Sequence, residues 1–155
     1  MKYEDAPDLK ARMIEIVNIL GLDFIDINRV ECLRGFGSST RRTLARCHAL
    51  GKLLQKAMGT KAFYAIEFLE RFERLSKDEQ DKVIIHELMH IPKTFGGGFR
   101  QHDFVCEENV DVMYEHYLNM KKKMQKNSIT KGLGTEESEV SQETREHKGV
   151  LSWWS

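Results

Sequence analysis

The 155-residue chain has little of several features that would direct it to particular function classes. Lysine plus arginine and aspartate plus glutamate both total 24, so the formal net charge is zero. The chain therefore lacks the overall basic field that draws proteins onto nucleic acid or an anionic membrane. No stretch approaches the roughly 20 consecutive apolar residues of a membrane-spanning helix, and residues 1–5 lack the apolar segment of a secretory signal. We expect a cytoplasmic protein for which neither a membrane nor nucleic acid is an indicated partner.

Cysteine is also scarce. The three cysteines, Cys32, Cys47 and Cys106, are widely spaced and form no C-x-x-C pair. This spacing argues against a thiolate metal site or a redox dithiol. The cysteines are interpreted as reduced thiols that pack as small apolar side chains.

The composition divides the chain into one domain and a tail. Residues 1–125 are long enough for a single hydrophobic core. Beyond residue 126 the chain is rich in Ser, Thr, Gly, Glu and Lys, which predicts a disordered tail over residues 126–155. Trp153 and Trp154 are interpreted as a loose terminus, with a short partner-docking peptide as the alternative.

Periodicity predicts a mixture of helices and strands. Apolar spacing and stop signals predict four helices, over residues 8–20, 52–58, 77–91 and 103–123. Runs of β-branched and aromatic residues predict three strands, over residues 24–33, from about residue 45 to 50, and over 63–69. The sequence therefore favours the α+β class, with a Gly-rich loop between the last two helices.

The motif that indicates chemistry is His86-Glu87-Leu88-Met89-His90, an H-E-x-x-H sequence inside a predicted helix. Residues four apart lie about 40° apart around a helix, so His86 and His90 can bind one ion. Zinc takes neutral imidazole nitrogens, and a catalytic site uses three protein ligands and one water. Glu87 lies next to the first ligand and is the predicted general base for the attacking water.

The third ligand is less directly indicated. His102 follows His90 by twelve residues, across a loop with glycines at 96–98 that can fold the chain back over the helix. We predict one Zn²⁺ ion bound by His86, His90 and His102. Glu107 and Glu108 remain alternatives for the third position, because carboxylates also bind zinc.

Two other functions remain open. A zinc site can serve another hydrolysis, such as that of RNA phosphodiesters, although Glu87 favours peptide bonds and phosphate-binding features are weak. Zinc can also brace a noncatalytic binding or regulatory protein. Replacing Glu87 would distinguish a catalytic zinc site from one that only stabilises the fold.

The remaining charged and histidine residues give weaker indications. His48 is interpreted as an interior or edge residue, and Arg41, Arg42 and Arg46 as facing solvent, with an anionic group as their alternative partner. The basic run 121–123 lies near the predicted end of the last helix, where cations complement the helix dipole.

The segment from Phe63-Tyr64-Ala65-Ile66-Glu67, through the H-E-x-x-H helix and Ile91-Pro92, to the Gly-rich loop and His102 resembles the metallopeptidases of archaea and phages. These are small minimal zincins, distantly similar to SprT-like proteases. The likeness covers about residues 3–123, and the helix with its Gly-rich loop is its most specific part.

The resemblance implies a minimal zincin-like α+β fold with a small mixed sheet, the H-E-x-x-H helix and flanking helices. It also implies a zinc-dependent peptidase with His86, His90 and His102 as ligands and Glu87 as general base. A protein or peptide substrate is expected to add to an edge strand, which we assign to residues 63–69. Substrates associated with DNA are suggested only by the distant SprT-like kinship.

Overall fold

The computed structural model describes residues 1–131. The two terminal tryptophans and most of the predicted tail, residues 132–155, lie outside the described residues.

A four-stranded mixed sheet forms the centre of the fold. Its strands are β1 (Lys2–Asp5), β2 (Val30–Phe36), β3 (Ala45–Ala49) and β4 (Tyr64–Leu69). Their order across the sheet is β1-β2-β4-β3. β2 and β4 are parallel, whereas β1 pairs with β2, and β3 with β4, in antiparallel fashion. The predicted α+β class with a small mixed sheet is confirmed.

Four helices accompany the sheet: α1 (Pro7–Leu20), α2 (Lys52–Met58), α3 (Lys77–Met89) and α4 (Glu107–Thr130). Among the described residues, none of these helices combines the length and apolarity needed to cross a membrane. α1 and α3 both contact α4, while α1 packs on β2 and α3 on β3. α1 and α3 therefore pack against the sheet, and α4 packs against both of these helices.

The hydrophobic core lies between the sheet and the helices. Val30 and Cys32 of β2 and Tyr64, Ile66 and Phe68 of β4 are almost completely buried. They alternate along their strands, so one sheet face points to the helices. Burial of each large apolar side chain contributes about 1.5–3 kcal/mol before entropy is counted.

Several predicted boundaries are confirmed. The helices predicted over residues 8–20 and 52–58 are α1 and α2, and both end at glycines with left-handed backbone, Gly21 and Gly59. α3 begins at the predicted capping box, in which Ser76 and Glu79 bond each other's backbone N–H groups. These signals are local in sequence, which is why they identified the elements.

Other boundaries were wrong. The strand predicted over residues 24–33 begins only at Val30, because Asp26 accepts a hydrogen bond from the Asn28 N–H (3.0 Å) and starts the 3₁₀ turn Ile27–Arg29. Such a side-chain bond competes with strand pairing. α4 spans Glu107–Thr130 rather than 103–123, and β1 was not predicted.

The assignment of residues 63–69 as an edge strand was also wrong. β4 lies between β2 and β3 and pairs with both. Its residues are buried on both sheet faces, as expected for a central strand. The edge near α3 is β3, whose side chains are mostly half-buried or exposed.

Candidate metal centre

The centre is built on the last turn of α3. His86 and Glu87 lie in this turn, and His90 caps the helix. The chain leaves the helical path just before Pro92, which disfavours helical backbone in the preceding residue. His90 therefore stands at the point where the helix gives way to the Gly-rich loop.

Three histidines come together at this point. One ring nitrogen from each of His86, His90 and His102 lies within 4.8 Å of the others. The ring centroids are 5.1 Å apart for His86 and His90, 6.0 Å for His86 and His102, and 5.0 Å for His90 and His102. Within residues 1–131, Glu107 and Glu108 do not belong to such a cluster.

His90 is oriented by the returning loop. Its Nδ1 lies 2.8 Å from the Arg100 carbonyl oxygen, and the Arg100 N–H donates to the His90 carbonyl (2.7 Å). Because a carbonyl only accepts, Nδ1 carries the proton and Nε2 keeps its lone pair. A backbone partner on the far nitrogen is the usual arrangement for a metal-binding histidine.

The Gly-rich loop is fixed by two side chains that the sequence did not single out. The Tyr64 hydroxyl donates to the Gly98 carbonyl (2.8 Å) and accepts from the Gly97 N–H (2.9 Å). Gln55 Nε2 donates to the carbonyls of Leu50 (2.6 Å) and Gly96 (3.1 Å). The loop leading to His102 is thus attached to β4, α2 and the end of β3.

One available signal pointed to Tyr64. A buried tyrosine needs a hydrogen-bond partner for its hydroxyl, and Tyr64 begins a strand whose other residues, apart from Glu67, are apolar. The identity of that partner depends on the loop's path, which the sequence pattern does not give.

The outer edge of β3 faces away from β4. Two backbone hydrogen bonds at the ends of β3 show which of its residues turn their N–H and carbonyl groups toward β4. The Leu69 N–H donates to the Leu44 carbonyl (2.9 Å), and the Leu50 N–H donates to the Phe63 carbonyl (2.8 Å). Bonded residues alternate in an antiparallel pair. The N–H and carbonyl groups pointing outward therefore belong to every second residue: Ala45, Cys47 and Ala49.

Glu87 connects this edge to the metal centre. Its side chain is buried, with 5% of the residue exposed, and it is hydrogen bonded to the backbone of Cys47. Burial raises the pKa of Glu87 to about 7, and the bond to Cys47 lowers it in part. Such a carboxylate holds a proton more readily than an exposed one, as a general base near neutral pH must.

The histidines are electrostatically suited to bind a cation. Burial is the main cause that lowers the pKa of His86 to about 4, followed by the proximity of His90 and His102. Burial also lowers the pKa of His90, and the Arg100 carbonyl opposes that shift. His86 is therefore neutral at pH 7, and a neutral imidazole is the form that binds metals.

His48 lies apart from the cluster. It is on edge strand β3, where its Nε2 is 2.9 Å from Oε2 of the buried Glu67. His48 and Glu67 belong to the sheet face opposite Cys47 and Ile66. The interpretation of His48 as an edge residue is confirmed.

The chain was compared with protein families, curated proteins and solved structures. The family described as “Putative phage metallopeptidase” matches residues 1–128. No curated protein and no solved structure matches the chain. The matched residues include all four strands, α1 to α3, most of α4 and the three clustered histidines.

Proposed function

The chain belongs to the phage metallopeptidase family, and on that premise we propose that it is a zinc-dependent peptidase. In this proposal His86, His90 and His102 bind the zinc ion and Glu87 is the general base. The observation that carries it is the convergence of three imidazoles with a buried carboxylate next to the first of them.

The donor set fits zinc. Three neutral imidazole nitrogens are a common ligand set for catalytic zinc and leave room for one further ligand. One nitrogen of each imidazole lies within 4.8 Å of the other two, and His90 Nδ1 already has a backbone carbonyl as its partner. A zinc ion held there would polarise the scissile carbonyl and make an attacking water more acidic.

Glu87 moves the proton in the proposed reaction. Its carboxylate accepts a proton from the water as the water oxygen bonds to the carbonyl carbon. The carboxylic acid then gives that proton to the amine nitrogen as the carbon–nitrogen bond breaks. The hydrogen bond to the Cys47 backbone restrains the carboxylate, so less positional freedom has to be lost before reaction.

The substrate peptide is proposed to lie along β3 rather than along residues 63–69. β3 is the sheet edge next to α3, and Ala45 and Ala49 turn their backbone groups outward. An extended peptide can pair with such groups without a particular side-chain sequence. Glu87 contacts Cys47 between them, which would bring a paired peptide close to the general base.

Metal content tests the ligand set. We expect near-stoichiometric zinc in the wild type and in Glu108→Ala, and a strong loss of zinc in His102→Ala. His48→Ala is the matched histidine control, since it removes an imidazole on the other sheet face. Zinc loss in Glu108→Ala with retention in His102→Ala would move the third ligand to α4, and no zinc in the wild type would refute the proposal.

Glu87→Gln tests the catalytic role. The variant keeps the side-chain volume but cannot accept the proton, so we expect retained zinc and peptide hydrolysis lower by about 10²–10⁴-fold. Undiminished hydrolysis would rule out Glu87 as the base. Zinc without any hydrolysis in the wild type would favour a zinc-braced binding protein, and hydrolysis of RNA alone would favour another hydrolase.

A further inference from the structure

Although the net charge of the chain is zero, one long segment carries basic residues but no acidic ones. Residues 32–66 contain no aspartate or glutamate but seven basic residues. Besides parts of the internal strands β2 and β4, this segment contains the edge strand β3, which contacts α3, and α2, whose Gln55 bonds the Gly-rich loop. A local positive field is thus concentrated around that edge.

Some of these charges are already paired within the fold. Arg34 bonds Asp8 and Glu73 at 2.7 Å each, and Arg46 lies 4.0 Å from the buried Glu67. Arg34 and Arg46 are therefore partly neutralised.

Four other basic residues lie at the two ends of β3. Arg41 and Arg42 precede the strand, and Lys52 and Lys56 follow it in α2. All four are exposed, and none takes part in the salt bridges formed within residues 1–131. A five-residue strand is about 17 Å long, so an extended peptide of six to eight residues would meet both pairs.

A peptide fits this surface better than a nucleic acid does. The outward backbone groups of Ala45 and Ala49 can pair with peptide N–H and carbonyl groups. Between the two lysines of α2, Leu53 is 83% and Leu54 is 53% exposed. These leucines can contact apolar side chains of a peptide but gain little from phosphates.

We propose that β3 and the basic pairs at its ends form a docking surface for an extended acidic peptide. The inference rests on the proposed function and names its substrate class: segments rich in aspartate and glutamate around the cleaved bond. Arg41 and Arg42 contact one end of the segment, and Lys52 and Lys56 the other.

Binding of labelled peptides to zinc-free, full-length protein tests the surface without relying on catalysis. Three peptides of about ten residues would be compared by fluorescence anisotropy, an acidic one and two in which the acids are replaced by glutamine or by lysine. Exposed ion pairs are individually weak, so we expect four of them to favour the acidic peptide by about tenfold. The preference should largely disappear near 1 M salt, where the Debye length is about 3 Å.

Charge-reversal variants identify which residues cause the preference for the acidic peptide. We expect Arg41→Glu/Arg42→Glu and Lys52→Glu/Lys56→Glu each to weaken acidic-peptide binding several-fold and to strengthen lysine-peptide binding. Lys122→Glu/Lys126→Glu is the matched control, because it changes net charge equally on the part of α4 after its last buried residue, Met120. It should retain the wild-type preference.

Three outcomes would overturn the docking proposal: equal binding of the acidic and glutamine peptides, an equal loss in the α4 control, or tighter binding of an oligonucleotide that displaces the acidic peptide. The comparison of the three peptides on the wild-type protein does not depend on whether a variant folds.

Cleavage assays with zinc-loaded protein distinguish failure of the docking proposal from failure of the proposed function. Acidic-peptide binding without cleavage of any peptide refutes the peptidase, whereas cleavage without charge preference refutes only the docking surface.

Discussion

The hydroxyl of Tyr64 links the sheet to the loop that carries His102, and Tyr64→Phe isolates that link. The variant keeps the buried ring, whose residue is 0% exposed. It removes the hydroxyl's bonds to the Gly97 N–H and the Gly98 carbonyl. The expected consequence is a looser loop and a weaker metal site with an intact core.

The magnitude follows from the two lost bonds. Each contributes about 0.5–1.5 kcal/mol net, but Gly98 is exposed and Gly97 half-buried, so water can replace part of the loss. We expect the free energy of unfolding to fall by about 1–2 kcal/mol. If that energy also holds His102 in place, zinc affinity should fall about tenfold, since 1.4 kcal/mol corresponds to a factor of ten.

Two measurements check this prediction, urea unfolding of the zinc-free protein and competition for zinc with a chromophoric chelator. Tyr117→Phe is the matched control, because it removes a bond from Lys121 (3.3 Å) on α4. It should leave zinc affinity unchanged. A destabilised Tyr64→Phe with wild-type zinc affinity would show that the two bonds of the Tyr64 hydroxyl do not position His102.

Three further predictions test other parts of the fold. Gly97 has φ +96°, and an added Cβ would lie 2.6 Å from the Leu50 carbonyl oxygen. Gly97→Ala should therefore lower the free energy of unfolding by at least about 1–3 kcal/mol. Gly98→Ala is the control and should change that free energy little, because the space around Gly98 is open. Arg34 holds the pKa of Asp8 at about 2, so the resulting stability is present above the ordinary value of 3.8 and is lost as pH falls through 2. Asp8→Asn should therefore destabilise by about 0.5 kcal/mol at pH 7 and lose this effect below about pH 2. Burial raises the pKa of Cys47, so iodoacetamide at pH 8 should modify it at least about tenfold more slowly in the folded protein than in urea, as followed by mass spectrometry.

Features specified by neighbouring residues could be predicted from the sequence. The Ser76–Glu79 capping box and the helix stops Gly21 and Gly59 act within a few residues, and each identified a helix end correctly. The spacing of His86 and His90 likewise places both on one helix face. Even so, the short-range bond from the Asn28 N–H to Asp26 overrode the first part of the strand pattern over residues 24–33.

Strand order could not be predicted in the same way, because it depends on contacts between distant segments. β1 has four exposed residues and no apolar face, so its sequence does not indicate a strand. The sequence did contain a signal for the central position of β4. Tyr64–Leu69 is a nearly continuous apolar run, which favours a central strand, and it is buried on both faces. The mixed polarity of Ala45–Ala49, which contains Arg46 and His48, favours an edge.

The contacts that complete the candidate site are the ones that depend on strand order. The helix alone supplies two imidazoles and a carboxylate. Placing β3 at the edge brings the Cys47 backbone to Glu87, and placing β4 beside it brings the Tyr64 hydroxyl to the loop before His102. Substitutions in these strands should therefore alter metal binding at the candidate site without changing a proposed ligand, and the H-E-x-x-H motif by itself does not determine whether such a site is competent.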